Sequence, residues 1–196
     1  METGIAGVIL AGGQGPWLSG ADKAALPFAD TTLLAHQVAR ISPQVARLAI
    51  NADGVSIEGM AVLPDAVPGQ PGPLAGILAA MDWAKALGFA QVACVAMDAP
   101  FLPTNLVAEL ATAAQRSPTG IALARSDGQA HPTFGLWPVD MRAAMATDLG
   151  KGQRRIRIFA EAQGCAYADF PTHGGLDPFF SINTADDLAT ARARLG

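Results

Sequence analysis

Residues 7–23 read GVILAGGQGPWLSGADK. The first four residues are apolar and predict a short buried strand, and the loop that follows contains Gly12, Gly13, Gly15 and Gly20. Because glycine lacks a side chain, such a loop brings backbone N–H groups close to a ligand, and these donors suit an anion. Lys23 adds a positive charge of the kind that binds phosphate. The stretch matches neither G-x-G-x-x-G nor G-x-x-x-x-G-K-[ST], so an ordinary glycine-rich turn remains an alternative.

The composition excludes several classes of protein. The chain has 196 residues, of which 51% are hydrophobic and 15% charged, and it is expected to form a single domain over 1–196 with a sizeable core. A net charge of −4 argues against nucleic acid as a partner. No apolar run approaches the roughly 18 residues of a membrane span, and no secretory signal pattern is present.

The cysteines and histidines indicate neither a disulfide nor a zinc site. Cys94 and Cys165 lie far apart and are expected to be reduced thiols, which favours a cytoplasmic location. The three histidines lack the spacing of zinc ligands.

Apolar runs alternate with helical patterns along the rest of the chain. Further strands are predicted at 45–51, 61–63, 92–97, 121–124, 133–137 and 167–170. Helices are predicted at 33–41 behind a Thr31-Thr32 cap, from 74 to 87 after Pro73, and at 103–115, 139–149, 153–162 and 184–195. This alternation predicts an α/β domain, with a Rossmann-like, mostly parallel sheet covered by helices on both faces.

Polar residues follow several of the predicted strands. Asn51, Asp65 and Asp98 come at or after strand ends, and ligands of such sheets bind beyond the carboxyl ends. Asp98 is the best candidate metal ligand, because Mg²⁺ takes one or two protein carboxylates together with water and phosphate. A cap for the next helix is the alternative for Asp98. Asn51 and Asp65 are candidates for contacts with a base or ribose, or for turn-forming residues.

A basic run, KGQRRIR at 151–157, stands out in an acidic chain. It indicates either a second anionic ligand or a solvated helix face.

Read in order, these motifs resemble the molybdenum cofactor guanylyltransferases, which have a nucleotide-diphospho-sugar transferase-like fold. The matching motifs are LAGG at 10–13, DK at 22–23, NA at 51–52, Asp65, GPLAG at 72–76, DAPF at 98–101, HPT at 131–133, GQRR at 152–155, Phe159 and FSINT at 180–184. Each motif alone is weak, but the ordered set is specific and spans essentially the whole chain.

The resemblance implies transfer of GMP from GTP to molybdenum-bearing molybdopterin, with release of pyrophosphate and with Mg²⁺ as the cofactor. The implied nucleotide contacts are Leu10, Ala11, Gly12, Gly13, Lys23, Asn51, Asp65 and Asp98. Within this set, Lys23 and Asp98 would be catalytic and Asp98 would hold the Mg²⁺. The implied pterin-side residues are His131, Pro132, Arg154, Arg155 and Asn183. Guanine rather than cytosine is expected from Gly12-Gly13 and from the motif at 72–76. Transient contact with other cofactor-biosynthesis proteins or with recipient molybdoenzymes is also implied.

The chain departs from the family pattern in the glycine loop. Where the family usually has Arg-Met-Gly, this chain has Trp17-Leu18-Ser19 after Pro16, and an indole offers one donor and no charge. Ser181 and Ala185 replace a usual asparagine and proline. Three hypotheses follow: an active guanylyltransferase, a weak or inactive relative that binds nucleotide or pterin cofactor, and a cytidylyltransferase. Lys23, Asp65 and Asp98 favour the first, and Trp17 favours the second.

Overall fold

The strands of the computed structural model form one large sheet and one small hairpin within the residues it describes, which are 4–12, 23–52, 57–67, 72–172 and 174–195. The large sheet contains β1 (Ala6–Leu10), β4 (Arg47–Asn51), β5 (Ala61–Leu63), β6 (Gln91–Ala96), β7 (Ala122–Ser126), β8 (Gln129–Pro138) and β9 (Ala166–Asp169). The hairpin pairs β2 (Pro27–Phe28) with β3 (Thr31–Thr32). The strand order in the large sheet is β5-β4-β1-β6-β8-β7-β9.

The sheet is mostly parallel, as predicted. Strand β1 pairs in parallel with β4 and β6, and β4–β5 and β7–β9 are also parallel. Strand β8 runs antiparallel to both of its neighbours. Its hairpin with β7 turns at Asp127 and Gly128, whose φ angles are 46° and 81°. An Asp-Gly pair favours such a two-residue turn, and this local signal explains why β8 begins earlier than the predicted 133.

Helices cover both faces of the sheet. They are α1 (Leu33–Ile41), α2 (Pro73–Ala86), α3 (Leu106–Ala114), α4 (Arg142–Gly150), α5 (Ile156–Ala162) and α6 (Ala185–Ala193). Successive β1 residues point to opposite faces: Val8 packs with α2, α4 and α5, whereas Ile9 packs with α1 and α3. This alternation divides the core into two layers.

Local signals predict most helix boundaries correctly. The Thr32 hydroxyl caps α1 by accepting from the Ala35 N–H at 3.2 Å, and Gly88, with φ 85°, follows the end of α2. Helices α3 and α5 each begin three residues later than predicted. Asn105 keeps a non-helical backbone before α3, and the Gln153 side chain accepts from the Arg154 and Arg155 N–H groups before α5. The first residues of the predicted helix at 139–149 form a 3₁₀ turn, Val139–Met141.

Helix α2 is buried on more than the one face that the sequence predicts. Beside Leu74, Ile77, Leu78 and Met81, the small residues Ala75, Gly76, Ala79 and Ala80 are also buried. The reason is that α2 lies between the sheet and α4, so both of its sides are covered.

The C-terminal residues pack against the N-terminal part of the chain. Ile182 and Ala191 form a small cluster with Phe28 of β2 and Leu33 of α1. Helix α6 is otherwise largely exposed, with Ala191 as its buried residue. The Ile182 N–H also donates to the Asp98 carbonyl at 2.8 Å, so the segment before α6 lies beside the carboxyl end of β6.

Both cysteines are free, Cys94 in the buried part of β6 and Cys165 partly buried, and burial raises the pKa of each thiol. Within the described residues, no helix has the length and apolar character needed to cross a membrane.

Candidate active site

A cavity of about 420 Å³ opens at the carboxyl ends of β1 and β6. The parallel register pairs Leu10 with Asn51 on one side and with Ala96 on the other, so three strand ends lie at one level. The lining residues are Leu10, Ala11, Gly12, Lys23, Pro73, Ala96, Met97, Asp98, Thr133, Ser181 and Asn183. The volume lies within the usual range for small-molecule sites. Six of the predicted site residues therefore meet in one place.

Lys23 and Asp98 form an ion pair inside this cavity. Nζ of Lys23 donates to Oδ2 of Asp98 at 2.8 Å, and the two side chains are 17% and 24% exposed. The helix-cap alternative for Asp98 is wrong, since its carboxylate is turned toward Lys23 and α3 begins only at Leu106. A partly solvated pair of this kind contributes little stability. What the pair does is place an ammonium group and a carboxylate side by side on the cavity wall.

Asn51 and Asp65 form a second polar group beside the cavity. Nδ2 of the buried Asn51 donates to Asp65 Oδ1 at 3.0 Å and to the Leu63 carbonyl at 3.1 Å. Neither side chain is part of the cavity lining. A Cβ on Gly12 would lie 3.6 Å from Asn51 Oδ1, so this amide adjoins the glycine that begins the loop. Those predicted nucleotide contacts that the structure describes thus fall into a cavity group and an amide–carboxylate pair next to it.

The closeness of the Asn51 amide requires a glycine at position 76 of α2. A Cβ at position 76 would lie 2.2 Å from Oδ1 and 2.9 Å from Cγ of Asn51. Such distances are far below van der Waals contact, so only glycine lets the helix approach Asn51 this closely. The motif at 72–76 marks the position in the sequence, but the contact that requires it is visible only in the fold.

His131 takes part in an internal hydrogen-bond network. Its Nε2 lies 2.6 Å from Ser126 Oγ, and that hydroxyl donates to Asp177 Oδ1 at 3.0 Å. Since Ser126 gives its proton to Asp177, Nε2 carries the hydrogen that Ser126 accepts. The imidazole also packs on Phe179, with ring centroids 4.7 Å apart. Sequence reasoning missed Ser126 and Asp177, which are 51 residues apart and share no local pattern.

The remaining pterin-side candidates lie in different places. Asn183 lines the cavity, and Pro132 precedes the lining residue Thr133 in β8. Arg154 and Arg155 are exposed before α5 and do not line the cavity, and Arg154 Nη1 donates to the Leu149 carbonyl at 2.7 Å.

Asn183 is tied to α6. Its N–H donates to Asp187 Oδ2 at 2.9 Å, which lowers the pKa of Asp187, and the charge of Lys23 contributes in the same direction.

Three predicted features, namely Gly13, Asp22 and the departure at 16–19, lie outside the described residues.

The side chains of the cavity suit a magnesium ion only when phosphate groups of a ligand supply further oxygen ligands. Among the residues that the structure describes, no three His, Cys, Asp or Glu side chains are grouped to hold a metal. Asp98 supplies one carboxylate to the cavity. Mg²⁺ commonly binds one or two carboxylates and takes its other ligands from substrate phosphates and water. Asp98 therefore suits a Mg²⁺ that arrives with a phosphate-bearing ligand.

The partly buried position of His131 makes stability depend on pH. Burial lowers the pKa of His131 from its usual 6.5, although the charge of Asp177 opposes this shift. The unfolded chain then binds the proton more tightly, so the contribution of neutral His131 is present above pH 6.5 and is lost as the pH falls. We expect the urea midpoint to fall between pH 7 and pH 5 more steeply in the wild type than in His131→Gln. Equal slopes would contradict this expectation.

The fold and cavity define a class, the α/β proteins whose ligands bind beyond the carboxyl ends of a mostly parallel sheet. A family model described as the MobA-like NTP transferase domain matches residues 7–165. The chain belongs to this family, and the resemblance seen in the sequence is confirmed.

Several named relatives are similar over nearly their whole length. A Rhizobium leguminosarum bv. trifolii protein named molybdenum cofactor guanylyltransferase is 46% identical over 196 residues, covering 95% of this chain and 91% of its own. A Mesorhizobium japonicum protein of the same name is 44% identical over 203 residues, covering 100% and 97%. Molybdopterin-guanine dinucleotide biosynthesis protein A from Archaeoglobus fulgidus shares the fold, with a TM-score of 0.77 at 20% identity over 97% of this chain and 98% of its own.

Proposed function

We propose that the protein transfers the guanylyl group of GTP to molybdenum-bearing molybdopterin and releases pyrophosphate. The observation that carries the proposal is the Lys23–Asp98 pair in a cavity at the carboxyl edge, in a chain 46% identical to a protein named for this reaction. The Asn51–Asp65 pair beside Gly12 supports it, because an amide and a carboxylate suit the polar edges of a nucleoside.

The reaction makes modest demands on the protein. A phosphate oxygen of the acceptor forms a bond to the α-phosphorus of GTP, and the bond from that phosphorus to the pyrophosphate oxygen breaks. The acceptor phosphate is already ionised, so no general base is required. The protein must align the two phosphates and balance the negative charge that gathers on pyrophosphate.

Lys23 is positioned to provide part of that balance. Its ammonium group lies on the cavity wall, where it would donate to phosphate oxygens of GTP without leaving the neighbourhood of Asp98. Asp98 would hold the Mg²⁺, which when bound neutralises phosphate charge and polarises the phosphoryl oxygens.

The acceptor would meet further residues of the same cavity lining. Thr133, Ser181 and Asn183 line it together with Lys23 and Asp98, and they offer hydroxyl and amide groups. His131 and Pro132 directly precede Thr133 in β8, which supports their assignment to the pterin side. Arg154 and Arg155 remain candidates for an anionic part of the pterin substrate, at the exposed start of α5.

The proposed setting is the cytoplasm, where GTP is supplied. The product must then pass to a recipient molybdoenzyme, so transient contact with such an enzyme or with another cofactor-biosynthesis protein belongs to the proposal.

The test follows the label of GTP marked in its α-phosphate, with Mg²⁺ and loaded molybdopterin. We expect labelled dinucleotide and free pyrophosphate, loss of both on adding a chelator, and weak competition from CTP. Absence of turnover in the wild type would contradict the proposal, and recovery in Trp17→Arg would then trace the loss to the glycine loop. If CTP outcompetes GTP, the guanine assignment is wrong.

A further inference from the structure

Helix α1 is hydrogen-bonded along one side to the segment that carries Asp98, residues 96–103. Three side chains of α1, and that of Gln44 just after the helix, donate to backbone carbonyls of this segment. The bonds run from Gln37 to Ala96 and Ala99, from His36 to Pro100, from Arg40 to Leu102 and from Gln44 to Pro103. A carbonyl only accepts, so His36 carries its proton on Nε2. Side chains of a neighbouring helix therefore help to hold this loop in place.

Gln37 holds the part of this segment that contains Asp98. Its Nε2 donates to the carbonyls of Ala96, at 3.2 Å, and Ala99, and these lie on either side of the Met97–Asp98 turn. The backbone of the turn has two other anchors. Met97 N–H donates to the Leu10 carbonyl at 3.1 Å, and Ile182 N–H donates to the Asp98 carbonyl at 2.8 Å. Gln37 thus provides a side-chain anchor where the other two are backbone contacts.

The side chain of Gln37 leaves one of its own atoms without a partner. Gln37 is fully buried, and its Oε1 has no hydrogen-bond partner within the described part of the chain. A buried acceptor without a donor costs stability. Turning the amide over would bring Oε1 against two carbonyl oxygens, so the two carbonyls fix its orientation. A local departure of this kind is expected where function sets the residue.

The position of Gln37 bears directly on the Lys23–Asp98 pair. Asp98 is 24% exposed and its carboxylate meets Lys23 on the cavity wall, so the backbone turn beneath it decides where the carboxylate points. We propose that Gln37 is a positioning residue, which fixes the Met97–Asp98 turn so that the Asp98 carboxylate faces Lys23 in the cavity. The consequence for turnover rests on the proposed function, whereas the consequence for geometry does not.

The chain offers a matched control in Gln44. Its amide also donates to a carbonyl of the same segment, Pro103 at 2.9 Å, and to Arg40 at 3.0 Å, while its Oε1 accepts from Val107 N–H. Substitution of either glutamine by methionine keeps the length of the side chain and removes all of its hydrogen bonds. Only Gln37 brackets Asp98.

In Gln37→Met we expect kcat for guanylyl transfer to fall by about tenfold or more, with KM for GTP within about threefold, because misplacing a reacting group acts on the transition state. In a crystal structure of the variant, we expect Lys23 Nζ and Asp98 Oδ2 to lie beyond hydrogen-bonding distance. Gln44→Met should lose thermal stability to at least a similar extent and keep the wild-type kcat.

Each possible result either supports or contradicts the positioning role of Gln37. Wild-type kcat in Gln37→Met, or an equal fall of kcat in Gln44→Met, would overturn the positioning role. If the wild type itself shows no turnover, the proposed function fails, and an unchanged Lys23–Asp98 distance in Gln37→Met would still overturn the inference. If Gln37→Met does not fold, Gln37→Asn replaces it with the same expected results, since its amide is one methylene too short to reach both carbonyls.

Discussion

Asp98→Asn is expected to lower kcat for guanylyl transfer by at least about 100-fold, the scale on which the loss of one group that stabilises transition-state charge is felt. Asparagine keeps the shape of aspartate and accepts a hydrogen bond from Lys23, but it carries no charge. It therefore neither balances the Lys23 ammonium, now 2.8 Å away, nor holds a divalent cation on the phosphates. The measurement is single-turnover transfer from labelled GTP at saturating substrate.

Stability should change little in Asp98→Asn, because a partly exposed ion pair contributes on the order of 0–1 kcal/mol. The control is Asp82→Asn, which removes an ion pair to Arg142 at 2.9 Å between α2 and α4, away from the cavity. That variant should keep the wild-type kcat. If Asp98→Asn retained more than a tenth of the wild-type rate, Asp98 would have no central part in the chemistry.

Gly76→Ala is the second substitution with a large expected effect. The new methyl carbon would lie 2.2 Å from Asn51 Oδ1, so the Asn51 side chain must move and its bond to Asp65 must break. Overpacking typically costs about 1–3 kcal/mol, and a contact as short as 2.2 Å belongs to the upper part of that range, above the roughly 1 kcal/mol that alanine gains over glycine inside a helix. We expect a lower free energy of unfolding in urea titration.

The same displacement should weaken nucleotide binding, because it disturbs the polar pair beside Gly12. KM for GTP is expected to rise by about tenfold, which corresponds to 1.4 kcal/mol of binding free energy. Gly150→Ala is the control, because a Cβ there meets nothing within 4 Å at the end of α4. It should be neutral, or stabilising by up to about 1 kcal/mol. Equal unfolding free energies and KM values for the two variants would contradict the steric explanation.

The predictions that succeeded from sequence rest on local chemistry. The apolar runs that end at Leu10 and Asn51, and the run that precedes Asp98, form the strands β1, β4 and β6. Short apolar runs become strands here because a sheet covered by helices buries both faces of its central strands. Thr32 caps α1 and Gly88 follows α2, and both act through their own backbone neighbourhood. The placement of polar residues at carboxyl ends then follows from the parallel direction of the strands.

The failures have physical causes as well. The late starts of α3 and α5 depend on the backbone of Asn105 and on the Gln153 side chain, which divert the chain before each helix. The antiparallel insertion of β8 between β6 and β7 is a non-local pairing that no window of sequence reports. The extensive burial of α2 depends on α4, which arrives about sixty residues later in the chain.

By itself, the sequence of this protein determined the class of fold, the family through its ordered motifs, and the edge of the sheet at which Gly12, Asn51 and Asp98 would gather. Only the tertiary structure decided which side chains meet there. Lys23 pairs with Asp98, which lies 75 residues later in the chain, and Gln37 donates to the Ala99 carbonyl, 62 residues later. Gly76, which has no side chain, leaves room for the Asn51 amide. The physical reason is that strand and helix propensities act over a few residues, whereas a hydrogen bond or a steric contact depends on three-dimensional proximity, which the packing of the whole sheet and its helices creates.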